Sequence, residues 1–449
     1  MKMQRLWMIG CFCLIIFWTP YTHAQAPMSF TLKQAQDYAS EHNYDLQNAR
    51  YDVEIAKKIV RENTSIGLPQ VNASASYMDN ILRPTSIIPN FFDTTGSAPP
   101  FEIQFGTRYN ATFTAQLTQL IYSGEYLVGL QTAKAYLETE KEKNLKAQID
   151  IRDLVSGAYI AYLIVDESLE ILDSTYKTVS LMVSETEEFY KNGLIEQLDV
   201  EQMELNAATL EASLITTRSQ KLIAYNYLKF LMGIEETQEI ILADDLDFFL
   251  QRINRDYLMT TNFDYGSNIN YRLLKKQEFL VLMQLKLAKT AYQPSLVGFI
   301  DISTNAQRES WNFFDSKQRW FSSSAWGLQL NIPIWSSGSR KFAIDQASIN
   351  LDKMKVLDKQ TRTSLNLQVE TVRNDFNTSY LVFLNKKKSL QTASKIYEQT
   401  IIKYRQGLAS STDLNQKYNQ FLITESEYTQ AMFDLLKSNI ALSKLLEKV

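Results

Sequence analysis

The chain repeats itself, and the repeat limits its possible folds more than any other feature. Tyr190-Lys191-Asn192-Gly193-Leu194 returns 214 positions later as Tyr404-Arg405-Gln406-Gly407-Leu408, with Asp199 answered by Asp413. Leu120-Ile121-Tyr122-Ser123 returns 213 positions on as Pro333-Ile334-Trp335-Ser336, and Leu68-Pro69 returns 225 positions on as Gln293-Pro294. Three landmarks in one order, at nearly one offset, define a first repeat over residues 25–234 and a second over 264–449. The acidic, aromatic stretch 235–263 joins them as an inter-repeat linker or equatorial segment. The fold is therefore read as one plan made twice.

Within each repeat the hydrophobic period changes from helix to strand and back. Leu32, Ala35, Ala39, Leu46, Ala49, Val53, Ala56 and Val60 carry helical spacing, which predicts one helix from Phe30 to Thr64. After Pro69 the period is two. Val71, Ala73, Ala75 and Tyr77 alternate with polar residues, as do Tyr109, Ala111, Phe113, Ala115 and Leu117, giving a β-hairpin over 69–120. Leu296, Gly298, Ile300 and Ile302, with Trp326, Leu328, Leu330 and Ile332, give a second over 294–334, although Val297 and Phe299 blur its other face. Runs of about ten residues suit tilted strands that cross a membrane, with lipid on the apolar side and a wet lumen on the polar side. The same alternation fits a soluble sandwich with one wet face. The stretches between strands, Asn80 to Phe105 with Pro84, Pro89, Pro99 and Pro100, and Asn305 to Arg319, read as exposed tips.

Each hairpin is followed by a long proline-free run, to residue 192 in the first repeat and 406 in the second. Val369, Phe376, Phe383, Leu390, Tyr397 and Tyr404 recur every seventh position, and the repeat offset maps them onto Val155, Tyr162, Leu169, Tyr176, Val183 and Tyr190. A strict seven-residue repeat predicts coiled-coil contact. At 1.5 Å per residue such rods are roughly 100 Å long. Gly193 and Gly407 stand where a helix ends on a left-handed residue. Return helices follow over 196–232 and 411–446, with Asp199 and Asp413 near their starts, where a carboxylate suits the exposed amides.

The chemistry-bearing residues are sparse. Lys2 and Arg5, the apolar run from Leu6 to Trp18 and the small-residue site Thr22-His23-Ala24 read as a signal peptide over 1–24. Its removal takes Cys11, Cys13 and His23, leaving His42 as the one histidine. Without thiols or paired imidazoles there is no cysteine nucleophile, disulfide framework or His-rich metal site, and no phosphate-binding glycine loop occurs. With 46 basic against 50 acidic residues, nucleic acid is not an expected partner. The expectation is a non-enzyme without cofactor or metal. No stretch after residue 25 is apolar for the ~18 residues a membrane helix needs.

Four strands cannot close a barrel, and no open sheet edge survives in hydrocarbon. A trimer supplies twelve strands and a ring of twelve helices; a dimer of eight strands also satisfies the arithmetic.

At this point the residues resemble the TolC-like outer-membrane efflux proteins. The likeness runs over Phe30-Thr31-Leu32 with Ala35, Glu41-His42-Asn43-Tyr44-Asp45-Leu46, Leu68-Pro69-Gln70, Ile332 to Gly338, and the two Tyr-x-x-Gly-Leu turns with Leu198-Asp199-Val200 and Thr412-Asp413-Leu414. The resemblance implies an α+β membrane protein: a homotrimeric, twelve-stranded outer-membrane β-barrel, four strands per chain, continued by a periplasmic α-helical coiled-coil barrel. It implies an exit duct for efflux or type I secretion, in the outer membrane with a large periplasmic portion. The implied partners are outer-membrane lipid, a periplasmic adaptor and an inner-membrane pump of RND, ABC or MFS type. Gly193, Leu194, Gly407 and Leu408 would be the adaptor-docking tips. Asp413 would form the constricting ring, with Asp199 and Tyr404 in the closing network. The sequence departs from the family's pattern at Ala409, where an arginine closes the network, and at Gln416, where a second aspartate ring would stand. The competing class is a periplasmic coiled-coil scaffold or adaptor without a pore. For Asp199 and Asp413 the plain alternative is helix capping, and for Tyr190 and Tyr404 coiled-coil packing.

Overall fold

The computed structural model describes residues 28–89 and 100–446. The expected signal segment and Pro99 lie outside the described residues. The first repeat contains β1 (Met28–Phe30), α1 (Leu32–His42), α2 (Tyr44–Ser65), β2 (Gln70–Asp79), β3 (Thr85–Ile88), β4 (Phe101–Gln104), β5 (Tyr109–Ser123), α3 (Gly124–Lys191) and α4 (Gln197–Met232). The joining stretch forms β6 (Ile240–Leu242), α5 (Leu246–Gln251) and α6 (Arg255–Thr260). The second repeat contains α7 (Ile269–Thr290), β7 (Ser295–Arg308), β8 (Phe321–Asn331), α8 (Ser339–Arg405) and α9 (Ser411–Leu446).

The chain enters through a capping box. Thr31 Oγ1 accepts from Gln34 N at 3.3 Å while Gln34 Oε1 accepts from Thr31 N at 2.8 Å. The single helix expected from Phe30 to Thr64 is broken at Asn43, whose ψ of 135° leaves the helical region. Its side-chain oxygen caps α2 by accepting from Asp45 N and Leu46 N, and its amide donates to Leu231 O at 2.8 Å. The break is tertiary in origin: Gly233, at φ +73°, brings the end of α4 so close that a Cβ there would lie 2.4 Å from His42 O. His42 stacks on Tyr38 with ring centroids 4.1 Å apart, a packing residue at the end of α1. β1 pairs in parallel with β6, so the joining stretch is stitched to the start of the chain.

The main sheet runs β2-β5-β7-β8, antiparallel throughout. Its central pair, β5 and β7, comes from different repeats. One face carries Ala75, Phe113, Leu117, Ile300 and Trp326 in facing register; the other carries Asn72, Gln116, Thr114, Ser303 and Asp301. Phe299 falls on the polar face and finds space because Gly327 faces it, where a Cβ would lie 2.8 Å from the ring. The first loop is not wholly irregular, since β3 and β4 pair inside it, and β7 runs on through Arg308 into the second expected loop. Among the described residues β2 and β8 are the sheet's edges, each paired on one side only.

Below the sheet, α3 and α8 span 68 and 67 residues and return through α4 and α9. That is about 100 Å of rod. In α8 the seven-residue line is buried at Val369, Phe376, Phe383, Tyr397 and Tyr404, with Leu390 half-buried. In α3 the corresponding line starts buried at Val155 but reaches an exposed Tyr190, and the seam passes to Thr175, Val179, Met182 and Thr186. The partner changes along the rod. Val155 and Tyr159 pack with Phe30, Ala35 and Leu228, whereas Val179 and Met182 pack with Met203, Tyr397, Ile401 and Leu414. Between these two cores, Ile160, Ile164, Phe376, Phe383, Leu435 and Leu436 enclose Leu246 and Leu258 from the joining stretch. Truncating a fully buried ring such as Phe376 costs about 3–5 kcal/mol.

Candidate gate and docking tips

Both long helices end in the same turn. Gly193 takes φ +70° and Gly407 φ +71°. Gly193 N donates to Tyr190 O at 2.8 Å and Leu194 N to Phe189 O at 2.9 Å; Gly407 N donates to Tyr404 O at 2.9 Å and Leu408 N to Lys403 O at 2.8 Å. These are the paired bonds of a Schellman cap, whose left-handed residue favours glycine. Among the described residues nothing lies within 4 Å of a Cβ built on either glycine, so the requirement is conformational rather than steric. Leu194 and Leu408 stand exposed at the crests, two apolar side chains at the ends of the rods.

The two aspartates open the return helices from equivalent places. Asp199 Oδ2 accepts from Glu196 N at 3.1 Å. Asp413 N donates to Ser410 Oγ at 3.1 Å, and Ser410 Oγ donates back to Asp413 Oδ2 at 3.0 Å. Each carboxylate thus sits in a first turn, where free amides and the helix dipole favour negative charge. Asp199 does more than cap, because Ser411 Oγ of the other return helix donates to its Oδ1. Asp413 and Gln416 lie exposed one turn apart at the surface of the chain.

Tyr404 is buried in the tip core, with its hydroxyl 3.1 Å from Thr186 Oγ1. Thr186 already donates its proton to Met182 O at 2.7 Å, so Tyr404 is the donor in that pair. Burial pushes the phenol's pKa up, and the Thr186 contact opposes that rise. Arg405 Nε pairs with Glu185 Oε2 at 2.8 Å. Two links therefore join α3 to α8 and one joins α4 to α9. Ala409 packs against the same core instead of reaching for a carboxylate.

The structure thus gathers Asp199, Tyr404, Gly193 and Gly407 at one end of the bundle and leaves Asp413 and Gln416 on its surface. Thr186, Ser411 and Glu185 escaped the sequence reading. The hydroxyl run Ser410-Ser411-Thr412 before Asp413 is a capping signal that could have pointed to Ser411, but nothing local marks Thr186. Farther up α9, Glu425 is buried and its only side-chain hydrogen bond among the described residues is a long one from Thr429, 3.5 Å. Burial pushes its carboxyl up to about 7. Among the described residues, no group of His, Cys, Asp and Glu could hold a metal, and no helix is long and apolar enough to cross a membrane.

The chain thus mounts a sheet with two edges and one apolar face on paired helical hairpins that end in glycine turns. The profile of the outer membrane efflux protein family matches residues 36–234 and 281–447, and the chain belongs to that family. No curated protein matches the chain by sequence. Among solved structures, the CusC transmembrane channel superposes with a TM-score of 0.71 at 15% identity, covering 93% of this chain and 92% of that one. The CmeC outer membrane channel of Campylobacter jejuni gives 0.70 at 16%, covering 92% and 85%. The open-state MtrE outer membrane channel of Neisseria gonorrhoeae gives 0.69 at 15%, covering 92% and 88%. At these identities the likeness is one of fold. The α+β fold class expected from the sequence is the fold found, and family membership places the chain among the outer membrane efflux proteins.

Proposed function

We propose that the protein is a passive exit duct, a homotrimer whose sheets close into one twelve-stranded barrel across the outer membrane and whose helices form a periplasmic tunnel. The observation that carries this reading is the sheet itself. Among the described residues its edges, β2 and β8, are unpaired on their outer sides, and its apolar face is open around Val71, Trp326 and Leu328, with Trp326 79% exposed. An edge of this kind cannot remain open in lipid, and pairing β8 of one chain with β2 of the next satisfies both edges at once. A soluble scaffold would leave that face in water, which disfavours the alternative.

At the far end the glycine turns, with Leu194 and Leu408 bare, offer a docking surface for an adaptor hairpin, through which an RND, ABC or MFS pump would deliver cargo. The gate is assigned to Asp413 as the constricting ring, with Asp199 and Tyr404 closing the tip and Gln416 replacing a second acidic ring. Three carboxylates around a threefold axis repel one another and favour cations over anions. Weaker constriction at Gln416 and Ala409 is offset by the Arg405–Glu185 pair and the Ser411–Asp199 bond. In planar bilayers, Asp413→Ala should raise cation conductance of the closed channel and weaken block by multivalent cations. Unchanged block would remove Asp413 from the gate, and failure of the purified protein to conduct at all would sink the duct.

A further inference from the structure

The loop between β7 and β8 lies against the sheet rather than free of it. It leaves the end of β7 remote from the helices and folds back across the apolar face of the sheet. Phe313 is the pivot. It is 6% exposed and lies edge-on to Tyr77 of β2, with ring centroids 5.9 Å apart. Tyr77 is two strands away from β7, so the loop crosses β5, a reach of about 10 Å at the usual strand spacing.

The seat for the ring is built from small residues. Ala111 stands opposite both Tyr77 and Ala306 in the register, and Ala306 is fully covered. A cavity of about 560 Å³ remains there, lined by Tyr77, Ala111, Phe113, Trp311, Phe314 and Trp320 among others. Phe113 shares this face with Leu117, Ile300 and Trp326, so the loop covers the apolar side and not the polar one. Its own bonds hold it in place: Arg308 Nη2 donates to Arg319 O at 2.7 Å, and Trp320 Nε1 donates to Phe313 O at 3.3 Å.

What the loop turns outward is amphipathic. Trp311 and Phe314 are 61% and 88% exposed beside Phe313. Lys317 and Arg319 are exposed on the same loop and join no ion pair among the described residues. Indole and phenyl rings with neighbouring cations are what the boundary between acyl chains and anionic headgroups selects.

We propose that the Glu309–Trp320 loop is an interfacial anchor that seats Trp311 and Phe314 in the headgroup boundary of the outer leaflet, with Lys317 and Arg319 toward its phosphates. The inference rests on the reading of the sheet as barrel wall, and it is continuous with that wall.

The test reconstitutes the protein freed of residues 1–24, and with them of Trp7 and Trp18, into phosphatidylcholine–phosphatidylglycerol vesicles containing lipids brominated either high or low on the acyl chain. Trp326→Phe with Trp335→Phe leaves Trp311 and Trp320 as reporters; Trp311→Phe, Trp320→Phe and Trp335→Phe together leave Trp326. Deep bromine should quench Trp326, which reports the wall. Shallow bromine should quench the Trp311/Trp320 pair at least about twofold more than deep bromine, with little quenching by aqueous iodide. If Trp326 is quenched by lipid while the loop indoles yield to iodide and not to lipid, the anchor is wrong and the wall stands. Loop indoles shielded from both quenchers would place the patch against another copy and overturn the anchor equally. A Trp326 untouched by lipid would overturn the wall and the anchor together.

Discussion

Replacing Glu425 with glutamine should make the protein more stable at neutral and alkaline pH, and by an amount that vanishes in acid. Glu425 lines the crevice between α3, α4 and α9 beside Ile164, Leu172, Leu210 and Phe433. The polar groups contributed there by α3 and α4 are the neutral Ser168, Ser213, Thr217 and Gln220. On the α8 side Lys395 and Glu398 line the adjoining cavity. Burial lifts the carboxyl from 4.5 to about 7 in the folded chain. Between those values the folded chain keeps a proton that the unfolded chain has lost, so stability falls as pH rises through the window and is level above it. At 1.36 kcal/mol per unit the loss reaches about 3 kcal/mol per chain. Glutamine keeps the shape and the hydrogen-bonding capacity without the charge. Urea unfolding of the detergent-held protein, followed by far-UV circular dichroism at about pH 4 and about pH 8, should give coincident midpoints in acid and a later midpoint for Glu425→Gln in base. A difference between the two proteins that does not change with pH would refute the reasoning.

Gly407→Val forces a branched residue into the left-handed region at about 1–2 kcal/mol, whereas Gly407→Asn should be tolerated because no atom obstructs a side chain there. Equal thermal stability and equal efflux of the two variants would show that the turn's conformation is not what matters. Tyr404→Phe removes the bond to Thr186 and should cost about 1 kcal/mol in the same urea assay while raising leak through the closed channel. Wild-type stability and leak would mean that the bond is idle. Asn43→Ala deletes the α2 cap and the tie to Leu231 O together, a loss of about 2–3 kcal/mol; amide exchange that stays unchanged at the ends of α1 and α4 would contradict the account of the break.

The parts of the fold legible in the sequence are those whose signal is periodic or local. Alternation in Tyr109 to Leu117 marks a strand because successive side chains on a strand must take opposite faces. Gly193 and Gly407 mark turns because the left-handed region excludes most other residues. The candidate site was legible to the same extent: its glycines and aspartates sit at positions the local pattern names, while their partners do not. Thr186 meets Tyr404, and Ser411 meets Asp199, across more than 200 residues of chain, and neither pairing leaves a trace in the residues on either side.

By itself the sequence determined that the protein is built twice, that its rods are long, and that its strands have two unlike faces. These follow from side-chain spacing, which any copy of the pattern must obey in water or lipid. Tertiary structure alone decided that β5 and β7 meet at the centre and leave β2 and β8 as edges, that the α3 seam drifts from Val155 to Met182, and that Asn43 breaks the first helix. It also decided that Phe313 crosses the sheet to Tyr77. Each of these depends on which surface lies opposite, and a chain's own period says which residues seek a partner without saying which partner packs against them.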